Sequence, residues 1–282
     1  MKTRRVLAIA LLVLVWTAWM AAGTEDVGGA FGIGASARAL GIGGAYLALA
    51  DDETAALHNP AALGSLEGIG FSSMFVRQFG GVTYGSLTVA IPWIGVNVSF
   101  VDSGEIASLQ GSFRYASQAV TLSGGIPLGP VGVGARWQYV HASSPTVGNG
   151  WSLSPAVRVD LGSLRIGALL ESALSGAMSY ETGAQEDFEP ALRLGVAAVL
   201  SPSPDVWWNA AFEVSGIFTD AVAFGGGLEA WIGGLGARVG YDGWGPTFGL
   251  TARVSGLQVD WAYAVRPDLG SSHRVSFSLR FK

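Results

Sequence analysis

From about Gly68 to its end, the chain alternates large apolar residues with small or polar ones at a period of two, the signature of β-strands. The last strand shows it most cleanly: Val275, Phe277, Leu279 and Phe281 share one face, with Ser276, Ser278 and Arg280 on the other. The same reading gives Val259, Trp261, Tyr263 and Val265 against Asp260, Ala262, Ala264 and Arg266. It also gives Phe248, Leu250, Ala252 and Val254 against Gly249, Thr251, Arg253 and Ser255. With similar runs over 131–139, 192–200 and 235–241 the count comes to about fourteen, spaced about fifteen residues apart, which leaves room for the ~9–11 residues that a tilted strand needs to cross a bilayer. The strand over Ile69–Gln78 has mixed faces, and Pro155 predicts a bulge or kink in the strand over Trp151–Leu161.

The connections separate a barrel from a soluble sandwich. Short turns fall at Pro92-Trp93, Leu128–Pro130, Gly162-Ser163, Ser201–Asp205, Gly233-Gly234 and Gly256. Between them lie longer segments at Asp102–Tyr115, His141–Gly150, Ser172–Glu189 and Arg266–Ser272, with tight turns expected near Gly80-Gly81 and Asp242-Gly243. Short turns at one end and longer loops at the other are the habit of outer-membrane barrels. The expectation is an all-β, antiparallel transmembrane β-barrel of about fourteen strands occupying 68–282. Trp137, Tyr139, Trp151, Trp208, Trp261 and Tyr263 suit its aromatic girdles.

Two segments precede the strands. Residues 1–23 read as a cleavable signal peptide: Lys2, Arg4 and Arg5, an apolar run over Val6–Met20, then Ala21-Ala22-Gly23. Residues 24–67 are rich in Gly and Ala, with a short helix predicted between a cap at Asp51 or Asp52 and a stop at Asn59-Pro60.

Composition narrows the function. The chain is 50% hydrophobic and 13% charged, yet no later run reaches the ~20 apolar residues of a membrane helix. Removing the three basic residues of the signal from 16 leaves 13 against 21 acidic ones, a mature net charge of −8, which argues against nucleic acid. There is no Cys, so no disulfide supports the exported fold. His58, His141 and His273 are scattered, giving no metal site. No nucleophile elbow is present, so no catalytic residue or cofactor is expected. Gly32–Ala37 is a loose echo of a dinucleotide fingerprint, without the strand that should precede it.

The strand charges lie away from the apolar face: Arg136, Arg158, Arg165, Arg193, Arg238, Arg253, Arg274 and Arg280, with Asp160, Glu171, Glu213, Glu229 and Asp260. An Arg facing lipid at the midplane would cost ~2–4 kcal/mol, so these predict a charged lumen, either as packed ion pairs or as a polar path for solute.

Residues near both ends also resemble a known family. Gly41-Ile42-Gly43-Gly44-Ala45-Tyr46, the run Ala48–Asp52 (with Asp51 and Asp52) and Asn59-Pro60-Ala61 resemble the N-terminal signature of the PorV/PorQ family, within the FadL-type long-chain fatty-acid transporters. Asp260–Tyr263 and Asp268–Ser276 are similar to that family's closing strands. The chain is shorter than typical fatty-acid transporters, and Lys282 follows the terminal aromatic. The resemblance implies a fourteen-stranded outer-membrane barrel whose N-terminal segment folds into the lumen as a plug. It also implies outer-membrane lipid and the barrel-assembly machinery as partners. Two functions follow from it: passage of a hydrophobic small molecule across the outer membrane, or a PorV-like role in holding an exported protein.

Overall fold

The computed structural model describes residues 34–78, 81–108, 111–266 and 270–281; the expected signal peptide and residues 24–33 of the plug lie outside them. Sixteen strands form one antiparallel sheet: β1 (Ile69–Gln78), β2 (Val82–Ile91), β3 (Ile94–Ser108), β4 (Gly111–Leu128), β5 (Val131–Ser144), β6 (Gly148–Leu161), β7 (Leu164–Glu171), β8 (Leu174–Tyr180), β9 (Gln185–Glu186), β10 (Ala191–Ser203), β11 (Val206–Ile217), β12 (Ala223–Ile232), β13 (Leu235–Tyr241), β14 (Pro246–Val254), β15 (Leu257–Ala264) and β16 (Ser272–Phe281). β1 pairs with β16 and β5 with β6, so the sheet closes on itself. Strands β7 and β8 both pair with β6 and fill a single position, and β9 adds only two residues beside β8. The result is a closed fourteen-stranded barrel.

Pro155 explains the split between β7 and β8. The ladder from β6 to β7 runs from Leu161↔Leu164 to Ala156↔Leu169, stops at the proline, and resumes on β8 as Leu153↔Leu174. The expected kink therefore falls on the partner strand, where Ser172 takes a positive φ of 49° and its N–H donates to Ser154 Oγ at 3.0 Å. The pairing of β6 with β5 continues through Ala135↔Pro155 undisturbed.

Six two-residue turns lie at one end, over 92–93, 129–130, 162–163, 204–205, 233–234 and 255–256. At the other end the wall is uneven. β3 to β6 run for 14 to 18 residues, whereas β13 to β15 run for 7 to 9. This corrects the expectation of loops at Asp102–Tyr115 and His141–Gly150, which are mostly strand. Cross-strand pairs such as Glu105↔Arg114 and Ile106↔Phe113 carry the β3–β4 ladder upward. Ser172–Glu189 likewise holds β8 and β9.

The two faces obey the solvents they meet. Outward positions carry Phe71, Leu87, Leu122, Leu228, Leu250 and Phe277, all exposed on the isolated barrel. Inward positions carry Ser, Thr, Gly and the charges. Among the described residues no helix is long and apolar enough to cross a membrane; crossing falls to the strands. Leu250 lies outward near mid-height. Leu250→Arg should destabilise the barrel by about 2–4 kcal/mol, read as a lower urea midpoint for unfolding from phospholipid vesicles, with Thr251→Ser on the inner face nearly neutral.

Candidate functional site: the plugged lumen

The segment from Gly34 to Leu66 lies inside the barrel, from the short-turn end up to the loop-side ends of β13 and β14, where Gly43 meets Tyr241 and Gly41 meets Thr247. It contains two single-turn helices, α1 (Ala37–Gly41) and α2 (Ala55–His58), and a 3-10 helix over Pro60–Ser65. Ser36 caps α1 by accepting the Arg38 N–H at 3.0 Å. Gly43 and Gly44, with φ of 74° and 75°, turn the chain away after it. The cap of α2 differs from expectation: Thr54 occupies that position, while Asp52 accepts the Thr54 N–H at 3.0 Å from two residues upstream. Asn59 ends α2 and opens the 3-10 helix. Its carboxamide oxygen accepts the Ala61 N–H at 3.1 Å and its amide donates to the Leu47 carbonyl at 2.8 Å.

The plug is small-residue chain pressed against glycines of the wall. A Cβ on Gly125 would sit 2.0 Å from the Pro60 carbonyl oxygen, and one on Gly134 2.6 Å from the Ala61 nitrogen. From the plug side, a Cβ on Gly43 would lie 2.4 Å from the carbonyl oxygens of Gly226 and Tyr241. Backbone thus meets backbone over much of the interface. The Gly/Ala composition of the plug and the Gly content of the wall have one steric cause.

Charge fixes the plug in place. Arg38, 3% exposed, forms a two-pronged pair with Glu229 on β12, Nε to Oε1 at 2.8 Å and Nη2 to Oε2 at 2.9 Å. Its remaining nitrogen donates to the Tyr46 hydroxyl at 2.8 Å, reaches Asp52 at 3.3 Å and bonds Asp51. Asn209 donates to Glu229 at 2.6 Å, and Arg238 bonds the same carboxylate. Asp260 lies 3.4 Å from Arg238. The indole of Trp231 is fully buried at the centre, with the guanidinium carbons of Arg253, Arg238 and Arg38 at 4.5, 5.2 and 5.7 Å from its ring centroid. Each such cation–π contact contributes about 0.5–2 kcal/mol.

Four more ties surround this one. Arg280 donates to Glu53 at 2.7 Å, and Arg158 donates to the Ala50 carbonyl at 2.7 Å. Glu213 accepts the Leu47 N–H at 2.9 Å and pairs with Arg193. Arg193 and Arg136 both reach Glu171, at 3.4 and 2.7 Å, and Arg136 also bonds the Leu57 carbonyl. Burial alone would raise the Asp52 carboxyl, but Arg38 and Arg280, with hydrogen bonds from Thr54 and Tyr46, hold it down to about 2. Burial, helped by Arg193, pushes His58 down to about 3, so it stays neutral against the edge of Tyr46.

The structure places the expected luminal charges Arg136, Arg158, Arg193, Arg238, Arg253, Asp260, Arg274 and Arg280 on the inner wall, Arg253 donating to Gln258 at 2.9 Å. The signature residues Gly41, Gly43, Asp51, Asp52, Asn59 and Pro60 lie at plug contacts, and Gly44 is free of close neighbours. The residue missed from sequence is Arg38. Its signal was available, as the one Arg or Lys of residues 24–66. Trp231 was missed too, although it shares a face with Glu229.

Beside the plug, next to Glu53, the lining changes. Gln258, Ser278, Ser72, Thr88, Asn97, Thr121, Gln138 and Ser152 stand opposite one another in succession from β15 through β16 to β6. They form a buried belt without charge. One and two rows nearer the loop end, the inner wall turns largely apolar, with Ser86, Ser99 and Ser117 among its residues and Arg274 opposite Val76. Met74, Val76, Tyr84, Val101, Ala119, Val140, Ala142, Met178 and Phe188 make one buried cluster. Met74 and Val76 are why the strand Ile69–Gln78 shows mixed faces. Among the described residues, no group of three or more His, Cys, Asp or Glu side chains is arranged to hold a metal.

A barrel of fourteen antiparallel strands, plugged from its N-terminal side and apolar on its outer face, belongs to the outer-membrane class. No protein-family model matches the sequence, and no curated protein matches it. Solved structures do. Two structures of the toluene transporter TodX of Pseudomonas putida are similar in fold. One is 12% identical with a TM-score of 0.57, covering 87% of this chain and 96% of that one. The other is 14% identical with a TM-score of 0.53, covering 88% and 98%. The fold is therefore shared with this outer-membrane transporter.

Two outcomes test the plug. Arg38→Met leaves Glu229 buried with one ion-pair partner fewer, and losing one partner of a buried pair costs about 3–5 kcal/mol. Single-channel recording in planar bilayers should show large, frequent openings that the parent protein lacks. Acidification should also loosen the plug. His58 remains neutral down to about 3 in the seated plug, while a released plug takes up its proton below the ordinary 6.5. Seating therefore weakens by up to about 1.4 kcal/mol for each pH unit below 6.5. The Asp52 contribution stays intact until the pH falls below about 3.8 and is lost as it passes through 2. His58→Asn should flatten the dependence of open probability on pH between 6.5 and 5.

Proposed function

We propose that this protein carries hydrophobic small molecules across the bacterial outer membrane, with the Gly34–Leu66 segment as its gate. The observation that carries the reading is the apolar inner wall at the loop end. A channel for hydrophilic solutes keeps a polar lumen, whereas here the upper inner surface of β1 to β8 is built mainly from Met74, Val76, Tyr84, Val101, Val140 and Met178, with Phe188 beside them, a few serines between them and Arg274 at its edge on β16. A molecule poorly soluble in water gains by transfer onto such a wall, at about 25 cal/mol per Å² buried. The plug beneath it is joined to the wall by ion pairs and hydrogen bonds, which can be exchanged for water, by backbone contacts at wall glycines, and by plug side chains such as Leu47, Leu49 and Leu63 that cluster mainly with small wall residues including Ala90, Ala156, Ala197 and Ala211.

Likeness of fold to a toluene transporter supports this direction without naming a substrate, because one fold hosts many functions. The plug-contacting positions of the signature residues support a place in the PorV/PorQ branch of the FadL-type barrels. The tall β3–β4 hairpin, with the exposed cross-strand pair Ile106 and Phe113, favours a second reading, a surface that holds an exported protein.

Uptake of radiolabelled toluene and oleate by cells lacking their own outer-membrane transporter, with and without this protein, tests the proposal. Transport predicts uptake severalfold above vector, sharply reduced by Val140→Asp, which puts a charge in the apolar wall. Uptake equal to vector, with the barrel folded in the membrane, would overturn the reading.

A further inference from the structure

We propose that the outer face of the β1–β16 seam is a binding site for a phosphate-bearing lipid of the outer leaflet. A groove of about 600 Å³ runs along this seam, lined by Phe75, Phe277, Ser73 and Val275, and ended toward the loops by Arg77, His273 and Ser271. Its size falls within the ~300–1,000 Å³ of ordinary ligand clefts.

The register shows why the groove is there. Ser73 faces Phe277 across the seam and Leu87 on its other side. A small side chain thus stands between two large ones on the lipid face. Phe75 faces Val275 across the seam, so the low ground continues on the β16 side, while on the other side the Phe100 ring covers Gly85. Neighbouring outward rows fill such positions with Leu, Val and Phe, so the depression is confined to these two strands.

Height and charge select the occupant. On β16 the outward residues Phe281, Leu279, Phe277 and Val275 are apolar until His273. On β1 the outward run Ile69, Phe71, Ser73 and Phe75 ends at Arg77. His273 is eight residues above Phe281, about 27 Å along the strand and, at a tilt of ~40°, about 21 Å along the membrane normal. That is close to the ~25 Å height of the apolar band. His273 also contacts the rings of Tyr263 and Trp261, with centroids 4.7 and 5.8 Å away, an aromatic group at the depth where headgroups lie. The closed end of the groove therefore meets the phosphate layer with a guanidinium and an imidazole, and its open length meets acyl chains. Arginine suits phosphate by its planar, two-pronged donor geometry. Because the loops lie outside, the leaflet is the outer one.

Native mass spectrometry of the purified full-length barrel with added diphosphorylated lipid A or phosphatidylcholine tests the site. The proposal predicts lipid A adducts that survive higher collision energy than phosphatidylcholine adducts. Arg77→Gln should lower apparent lipid A affinity about fivefold, as loss of one basic residue near an anionic surface does. Ser73→Trp, which fills the groove without changing charge, should abolish the difference between the lipids. Equal retention of both lipids by the parent protein, or lipid A binding unchanged in both variants, would overturn it. Failure here leaves the uptake experiment untouched, since neither variant alters the lumen.

Discussion

A bilayer offers no partner to an open backbone hydrogen bond, and the architecture follows from that constraint. The sheet must close, which sets β1 against β16. Closure at fourteen positions makes a tube wider than its own side chains can fill, since about eight strands is the size at which they suffice. The remaining space has to be occupied or left as a leak. Here the chain fills it with its own N-terminal segment, whose glycines and alanines let its backbone approach the wall closely while Ile42, Tyr46, Leu47, Leu49 and Leu63 fill the rest.

Filling a tube with backbone raises a second difficulty, because peptide groups brought out of water need partners. The wall supplies them as side chains. Glu213 takes the Leu47 N–H, Arg158 and Arg136 take the Ala50 and Leu57 carbonyls, and Thr247 donates to the Gly41 carbonyl. The ion pairs complete this set more than they stabilise the fold in their own right, since the cost of burying a charge offsets much of its attraction to a partner. Their value lies in position: an Arg38 that grips Glu229 and lies among Asp51, Asp52 and Tyr46 fits in one place only. The same economy leaves the upper wall of β1 to β8 free of charge, so the lumen passes from an ionic floor through a neutral belt to an apolar mouth.

Much of this was legible in the chain. Period-two alternation and the rhythm of short turns follow directly from the two-sided solvent environment of each strand, and both bear on every strand at once. The height of the wall was not legible in that way. Asp102–Tyr115 carries Asp102, Glu105 and Arg114, charges that read as loop. They belong to a ladder above the apolar band, where water rather than lipid wets the outer face. Arg38 was passed over because an isolated basic residue in a Gly/Ala segment has no periodicity to place it; only the tertiary meeting with Glu229, 191 positions later, assigns its role. Trp231 was hidden by a general habit, the expectation that Trp in a barrel faces the membrane interface. The mixed faces of Ile69–Gln78 looked like noise and were the trace of an apolar inner surface.

The glycines of the wall carry one more consequence. Gly125, Gly132 and Gly134 fit Pro60 and Ala61, while Gly225, Gly227 and Gly240 fit Ile42 and Gly43. Casing and filling are thus cast to one another, as a mould is to its object. A gate of this kind is not a cassette that descent can trade between paralogous barrels. A foreign segment would find hollows where it has none to fill and walls where it needs hollows. Divergence of substrate range is accordingly expected to proceed through the apolar mouth and the rim, where side chains vary singly, while gate and lower wall change together or not at all.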